Sequence, residues 1–283
     1  MGSLFVVATP IGNIGDISDR AIKTLSEVDF IVAEDTRNSS ILLSRLNIKK
    51  PLISYHKFNE KERSSYIVER ILSGENCAIV TDAGTPCISD PGSVLVRECA
   101  ENGITVFGIP GPSAVILALS ISGFDVDSFA FYGFFPRTKK ERVDFLKKYE
   151  QDSVSVGVFY ESPKRLDETL LSIQENLPNA KLCVCNDLTK KFERVYRGSI
   201  DEVIHEIGEN EKSELGEYAL VLSLPKKENA KENGFEVSVE ARLFDKVLKG
   251  LDVKSAVKEL QGEGVSRNDA YSAGLKVKEM LSK

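Results

Sequence analysis

The sequence lacks the marks of several protein classes. Its five cysteines, Cys77, Cys87, Cys99, Cys183 and Cys185, are odd in number and include no CxxC pair. A disulfide framework is therefore not expected, and reduced thiols are the simpler reading. Only two histidines are present, His56 and His205, so no metal site is predicted. No apolar stretch approaches the roughly 18 residues that a membrane-spanning helix requires. The opening residues, Met1-Gly-Ser-Leu-Phe-Val-Val-Ala-Thr-Pro10, lack the basic start and long apolar run of a secretory leader. Gly2 is no acylation signal, because Val6 stands where Ser or Thr is needed. A cytoplasmic protein without membrane attachment is the expectation. The Walker pattern and the G-x-G-x-x-G fingerprint are also missing, which argues against a P-loop enzyme and the usual Rossmann-type methyltransferase or dehydrogenase. Net positive charge is lacking too. With 37 Lys+Arg against 43 Asp+Glu, the formal charge is −6, which argues against a protein held to nucleic acid by global charge alone.

What is present is an ordinary globular composition, 42% hydrophobic and 28% charged over 283 residues, long enough for about two domains. Short apolar runs at residues 4–8, 30–34, 77–81 and 104–107 read as buried strands. Polar periodic segments at 19–27, 38–46, 60–73 and 93–102 read as the helices between them. That alternation predicts βαβ units and a mainly parallel sheet over residues 1 to about 120. A second α/β block follows, with strands at 129–131, 154–160, 181–186 and 218–224 and helices at 138–149, 163–175 and 200–207. Residues 225–234, polar and ending in Gly, read as a linker. Beyond them, 239–248, 254–260 and 268–281 read as amphipathic helices, with Ser266-Arg-Asn-Asp269 as a capping box. The expected organisation is an N-terminal α/β domain (1–122), a second α/β domain (123–225), and a linker with a small three-helix unit (226–283).

Several loops at predicted strand ends carry chemistry-bearing residues, and ligands of open α/β sheets bind beyond such ends. Thr9-Pro-Ile-Gly-Asn13 can let a ligand approach the backbone, or serve only as a tight turn. Glu34-Asp-Thr-Arg37 can position a polar substrate, or be a self-satisfied ion pair with Asp35 or Thr36 capping the next helix. Asp82-Ala-Gly-Thr-Pro-Cys-Ile-Ser-Asp-Pro-Gly92 holds more backbone punctuation than a plain surface loop needs, and reads as functional. Gly108-Ile-Pro-Gly-Pro-Ser-Ala114 places small Ser113 and Ala114 at a helix start, where a flat ligand packs closely. In the second half, Phe159-Tyr-Glu-Ser-Pro-Lys-Arg165 and Leu188-Thr-Lys-Lys191 sit just past strands; each can also be a solvated strand end. His56, alone in its segment, is read as structural more readily than as catalytic.

Taken in order, these motifs resemble the tetrapyrrole-methylase superfamily of S-adenosyl-L-methionine-dependent methyltransferases. Gly216-Glu217 and Ser266-Arg-Asn-Asp-Ala-Tyr271 extend the likeness over nearly the whole chain. Within the superfamily it is nearest to the branch that methylates the ribose 2′-oxygen of a cytidine in 16S rRNA of the small ribosomal subunit. The resemblance implies two tandem α/β domains with a cofactor cleft between them, a small C-terminal helical unit, and a homodimer. The matching cofactor positions are Pro10, Ile11, Asp82, Ala83, Gly84, Thr85, Ser113, Ala114, Tyr160, Leu188 and Ala219. In-line displacement by a ribose 2′-oxygen needs alignment and help in removing a proton. Lys190 is the first candidate for a stabilising cation, and Glu34, Asp35, His56 and Glu161 are candidates for base or orienter. One departure stands out: Asn186-Asp187 replaces the family's Arg-Glu, which leaves Arg194 or Lys191 to supply the lost positive charge.

An RNA substrate requires local positive charge. Residues 137–148 hold six basic and two acidic side chains, and 226–283 hold twelve and ten, while 1–225 carry 25 and 33. The basic helix and the tail are therefore expected to contact phosphates. Two other readings remain: a methylase of a small tetrapyrrole precursor, and a non-catalytic, cofactor-sensing rRNA-binding protein.

Overall fold

The computed structural model describes residues 1–152, 154–225 and 238–281. Residues 1–225 form one unit and 226–283 another; most of the predicted linker lies outside the described residues.

In the first unit, five parallel strands make one sheet in the order β3-β2-β4-β1-β5, formed by β1 (Ser3–Val7), β2 (Phe30–Ala33), β3 (Leu52–Ser54), β4 (Cys77–Val80) and β5 (Thr105–Ile109). Side chains alternate across it with period two. Leu4, Phe30, Val32, Cys77 and Ile79 face α3 (Glu60–Leu72) and α4 (Ser93–Glu101). Val7, Ile31, Ala33, Ala78 and Val80 face α1 (Asp19–Glu27) and α2 (Thr36–Arg45). Because helices cover both faces, β2 and β4 are apolar and buried at every position, as central parallel strands require. Sequence reasoning missed β3, a three-residue edge strand after Pro51, too short to show a pattern.

The second sheet runs β6-β7-β10-β8-β9, from β6 (Ala130–Phe134), β7 (Val156–Glu161), β8 (Lys181–Asn186), β9 (Arg194–Ser199) and β10 (Tyr218–Ser223). Only β6 and β7 are parallel; the other pairs are antiparallel. One face buries Phe159, Leu182, Val184 and Leu220 under α6 (Lys139–Gln151), α7 (Leu166–Asn176) and α8 (Ile200–Gly208). The other face receives α5 (Ala114–Ser122), whose Val115, Ala118 and Leu119 pack on Val158, Cys183, Cys185 and Val221. The helix that leaves the first sheet thus lies on the second, and the loop between β5 and α5 becomes shared ground. Strand β9 went unpredicted because Arg194 and Arg197 interrupt it and Tyr196 alone is buried.

The C-terminal unit is a three-helix packing of α9 (Val239–Leu248), α10 (Val253–Gly262) and α11 (Arg267–Leu281) around Leu243, Ala256, Leu260, Ala273 and Val277. Ser266 and Asp269 form the capping contacts foreseen for α11. Several basic side chains here are engaged internally: Arg242 on Glu263, Lys246 on Glu259 and Glu263, and Lys276 on Glu240. In α6, Arg142 is likewise buried, held by Ser172, Glu168 and the Arg137 carbonyl. It is a structural residue, so the basic footprint expected of residues 137–148 is smaller than their charge count suggested. Among the described residues, no helix is long and apolar enough to cross a membrane.

Candidate active site

The loops after β1 and β4 are tied by backbone. Thr9 N–H donates to the Gly84 carbonyl at 2.8 Å, and Gly84 N–H to that of Thr9 at 3.1 Å. Gly84 takes a φ of +85°, a conformation that glycine alone adopts without strain. The Thr9 hydroxyl donates to the Thr81 carbonyl at 3.1 Å, which locks the ends of the two strands together.

From there the first loop reaches the second half of the molecule. Asn13 N–H donates to the Thr189 hydroxyl at 3.1 Å. Gly12 lies so close to the turn after β8 that a Cβ on it would fall 2.6 Å from Lys190 Cγ and 2.9 Å from the Leu188 carbonyl oxygen. That turn is shaped by Asp187 and Thr189, both at positive φ, 51° and 64°.

Between these loops lies a cavity of about 1020 Å³, at the upper end of ordinary ligand sites. Nine of the eleven predicted cofactor positions line it: Ile11, Ala83, Gly84 and Thr85 from the β1 and β4 loops, Ser113 and Ala114 from the shared β5–α5 corner, and Tyr160, Leu188 and Ala219 from the second sheet. Pro10 and Asp82 stand outside the lining. Asp82 instead accepts hydrogen bonds from Asp35 N–H and the Asn38 amide, at 3.3 and 2.7 Å.

The predicted catalytic residues divide differently, and Glu161 alone lines the cavity. Its buried carboxylate is fully engaged: it pairs with Arg165, and it accepts from Ser162 N–H and from the Thr169 hydroxyl, each at 2.7 Å. Asp35 caps α2 and is gripped by Arg37 through side-chain and backbone hydrogen bonds, which hold its pKa down at about 2. His56 contacts Asn59, Nε2 to Nδ2 at 3.3 Å. Glu34 accepts the Thr81 hydroxyl at 2.9 Å. Burial raises its pKa, only partly offset by that hydrogen bond, with Asp90 and Asp82 adding repulsion. Lys190 does not line the cavity; its ammonium bridges Asp187 at 2.8 Å and Glu217 at 2.9 Å, and Glu217 does line it. Burial lowers the Lys190 pKa, but these two hydrogen bonds prevail and raise it above the ordinary value. It is a fixed cation.

Asp90 and Lys57 both line the cavity, and neither was singled out individually. Asp90 sat within a motif that sequence reasoning rated functional, but Lys57 had no such signal. Burial raises the Asp90 pKa, with the Thr81 hydroxyl and Lys57 pulling the other way. Phe129, Phe131 and Phe134 also line the cavity; the first and second fall in the strand predicted at 129–131, and Phe134 lies beyond it. Asn186 is buried, and its amide donates to the Leu215 carbonyl at 3.2 Å. Asp187 supplies the carboxylate that holds Lys190. The Asn186-Asp187 pair therefore fixes the loop before β10. Among the described residues, no His, Cys, Asp and Glu cluster is arranged to hold a metal ion.

Comparison with known proteins matches residues 3–204 to the model of the tetrapyrrole (corrin/porphyrin) methylases. Ribosomal RNA small subunit methyltransferase I of Thermotoga maritima is 45% identical over 223 residues, covering 79% of this chain and 99% of that protein. The protein of the same name from Halalkalibacterium halodurans is 38% identical over 282 residues, covering 96% of this chain and 94% of its own. Among solved structures, a diphthine synthase superposes with a TM-score of 0.60 at 14% identity, covering 78% of this chain and 90% of that one. A uroporphyrin-III-C-methyltransferase from Thermus thermophilus gives 0.53 at 16%, covering 79% and 94%. These two likenesses speak to the fold alone.

Proposed function

Because the chain belongs to the tetrapyrrole (corrin/porphyrin) methylases, we propose that it methylates RNA of the small ribosomal subunit with S-adenosyl-L-methionine, at the ribose 2′-oxygen of a cytidine. The observation that carries this reading is the cavity at the strand ends, in a chain whose relatives named ribosomal RNA small subunit methyltransferase I match it along nearly their whole length.

The cavity suits the cofactor chemically. Small residues at Ala83, Gly84 and Ala114 leave room for a flat adenine beside the backbone, and Asp90 adds an acid to the lining, which suits a cationic ligand. S-Adenosyl-L-methionine supplies an electrophilic methyl carbon, whose sulfonium departs as a neutral thioether. The chain's task is then to align the ribose hydroxyl and manage its proton, and alignment alone is worth up to about 7–11 kcal/mol. Lys190, held as an ammonium by Asp187 and Glu217, stabilises charge developing on the oxygen. Glu161 serves as a buried support for the β7 end, since all its strong interactions are internal. Asp35 is too acidic and too firmly held by Arg37 to act as a base. Asp90, which lines the cavity and has a raised pKa, is the acceptor we assign to the proton, while Glu34, outside the lining, holds the Thr81 hydroxyl. A homodimer belongs to the same proposal; sedimentation at several concentrations tests it.

Incubating the purified chain with methyl-labelled cofactor, and with either unmodified small subunits or a precorrin-type tetrapyrrole, tests the assignment. Label in the RNA supports it. Label in the macrocycle, or none in either, contradicts it.

A further inference from the structure

Two residues beyond Lys190, the chain presents an aromatic ring to solvent. Phe192 is 65% exposed, and with Phe58 and Phe134 it is one of three phenylalanines more than half exposed among the described residues. The turn that carries it is not loose. Lys190 N–H donates to the Asp187 carbonyl at 3.0 Å and Glu193 N–H to that of Lys190 at 3.1 Å. The Glu193 carboxylate folds back to accept Thr189 N–H at 2.5 Å. Two ammonium groups attend the ring, Lys191 at 5.4 Å and Lys212 at 5.3 Å from its centroid. Both are near the outer limit of a cation–π contact, where exposed pairs are weak. They leave the ring available.

The position of the ring ties it to the cavity. The turn bearing Phe192 also contributes Leu188 to the cavity lining, and the loop bearing Lys212 contributes Gly216 and Glu217. Carboxylates in the same two loops are largely occupied: Asp187 and Glu217 hold Lys190, and Glu193 holds Thr189. Glu211 and Glu214 share the loop with Lys212, so the patch has no strong net positive field. What it offers is an exposed aromatic face on a hydrogen-bonded turn, with two ammonium groups beside it. Sequence-tolerant recognition of unpaired nucleotides uses that combination, in which the base stacks and the cations reach the flanking phosphates.

We propose that Phe192, flanked by Lys191 and Lys212, is the platform on which an unpaired base of the RNA substrate stacks, next to the nucleotide presented to the cavity. This rests on the reading of the chain as an RNA methyltransferase. The contact adds affinity and positions the strand, while Lys190 acts on the reacting ribose.

The chain contains no tryptophan, so Phe192→Trp in the full-length protein installs a single tryptophan at the platform, whose emission is excited selectively over that of the eight tyrosines. Its emission should be quenched saturably by a single-stranded cytidine-rich oligoribonucleotide, and much less by a perfect RNA duplex. Phe192→Ala should raise the KM for small subunits about 5- to 150-fold, the range of one lost stacking contact. Its kcat and cofactor Kd should change little, and Phe192→Tyr should restore the KM. Because the loss comes from stacking, it should persist at raised salt. If the wild type methylates subunits while Phe192→Ala leaves the KM unchanged and the tryptophan shows no quenching, the platform is wrong and the methyltransferase reading stands. If the wild type labels no RNA, that reading falls. The platform is then decided by the fluorescence, with quenching by single strands supporting it and none overturning it.

Discussion

Gly12→Ala is the sharpest test of how the two halves of the first unit meet. Gly12 does not take a positive φ, so alanine accepts its backbone without strain and the effect is purely steric. The added Cβ would sit 2.6 Å from Lys190 Cγ, 2.8 Å from Thr189 Oγ1 and 2.9 Å from the Leu188 carbonyl oxygen. The last of these is backbone, held by the turn at 187–190, and yields little. Gly12 is exposed, so in the free protein its loop relieves the clash by lifting outward, taking Ile11 away from Leu188. Both residues line the cavity, so ligand binding must press the loop back. Overpacking of this kind costs about 1–3 kcal/mol, which weakens cofactor binding by about 5- to 150-fold while the melting temperature moves little. Isothermal titration with S-adenosyl-L-methionine reads this directly. Gly208→Ala, where a Cβ meets nothing within 4 Å, is the control. A Gly12→Ala variant that binds the cofactor as tightly as wild type would refute the reasoning.

Lys190→Ala should lower kcat by about 10²- to 10³-fold, the scale of one lost oxyanion contact, with cofactor affinity nearly intact; near-normal turnover would remove Lys190 from the mechanism. Glu161→Ala should act on stability instead. Its carboxylate is wholly buried against Arg165, and breaking such a pair costs about 3–5 kcal/mol, or about 6–20 °C in melting temperature for a unit of this size. An unchanged melting temperature with turnover abolished would return Glu161 to the role of base. Glu34→Gln should stabilise the protein at pH 7. The raised pKa means that the folded state binds the proton more tightly than the unfolded chain, so ionising Glu34 disfavours folding as pH rises through the folded value. The gain from glutamine should shrink below that value and vanish at pH below the ordinary 4.5. Equal melting curves for both proteins across that range would contradict the burial argument.

Much of the fold was legible because the central strands carry their burial in their composition. Phe30-Ile-Val-Ala33 and Cys77-Ala-Ile-Val80 are apolar throughout, and parallel strands need a long crossover connection, usually a helix. Edges were not legible: β3 has three half-buried residues and β9 alternates with arginine. At the site, glycine- and proline-rich loops located the cavity wall well, since their backbone geometry is written in residue type. Side-chain roles were harder. Nothing local reveals that Glu161 meets Thr169, two turns into the next helical segment. Nor does it show that Lys190 is clasped by Glu217, 27 residues on. Lys57 reaches the cavity while its neighbour His56 does not, a distinction set by tertiary packing of a single loop.

The central claim is that this cavity serves methyl transfer to a ribose of small-subunit RNA. Small subunits from cells lacking the modification would be treated with the chain and S-adenosyl-L-methionine, and their RNA digested to nucleosides for mass spectrometry. The account predicts one added 2′-O-methylcytidine per subunit, lost in Lys190→Ala. A methyl group on a base, or RNA identical to the untreated control, would contradict it.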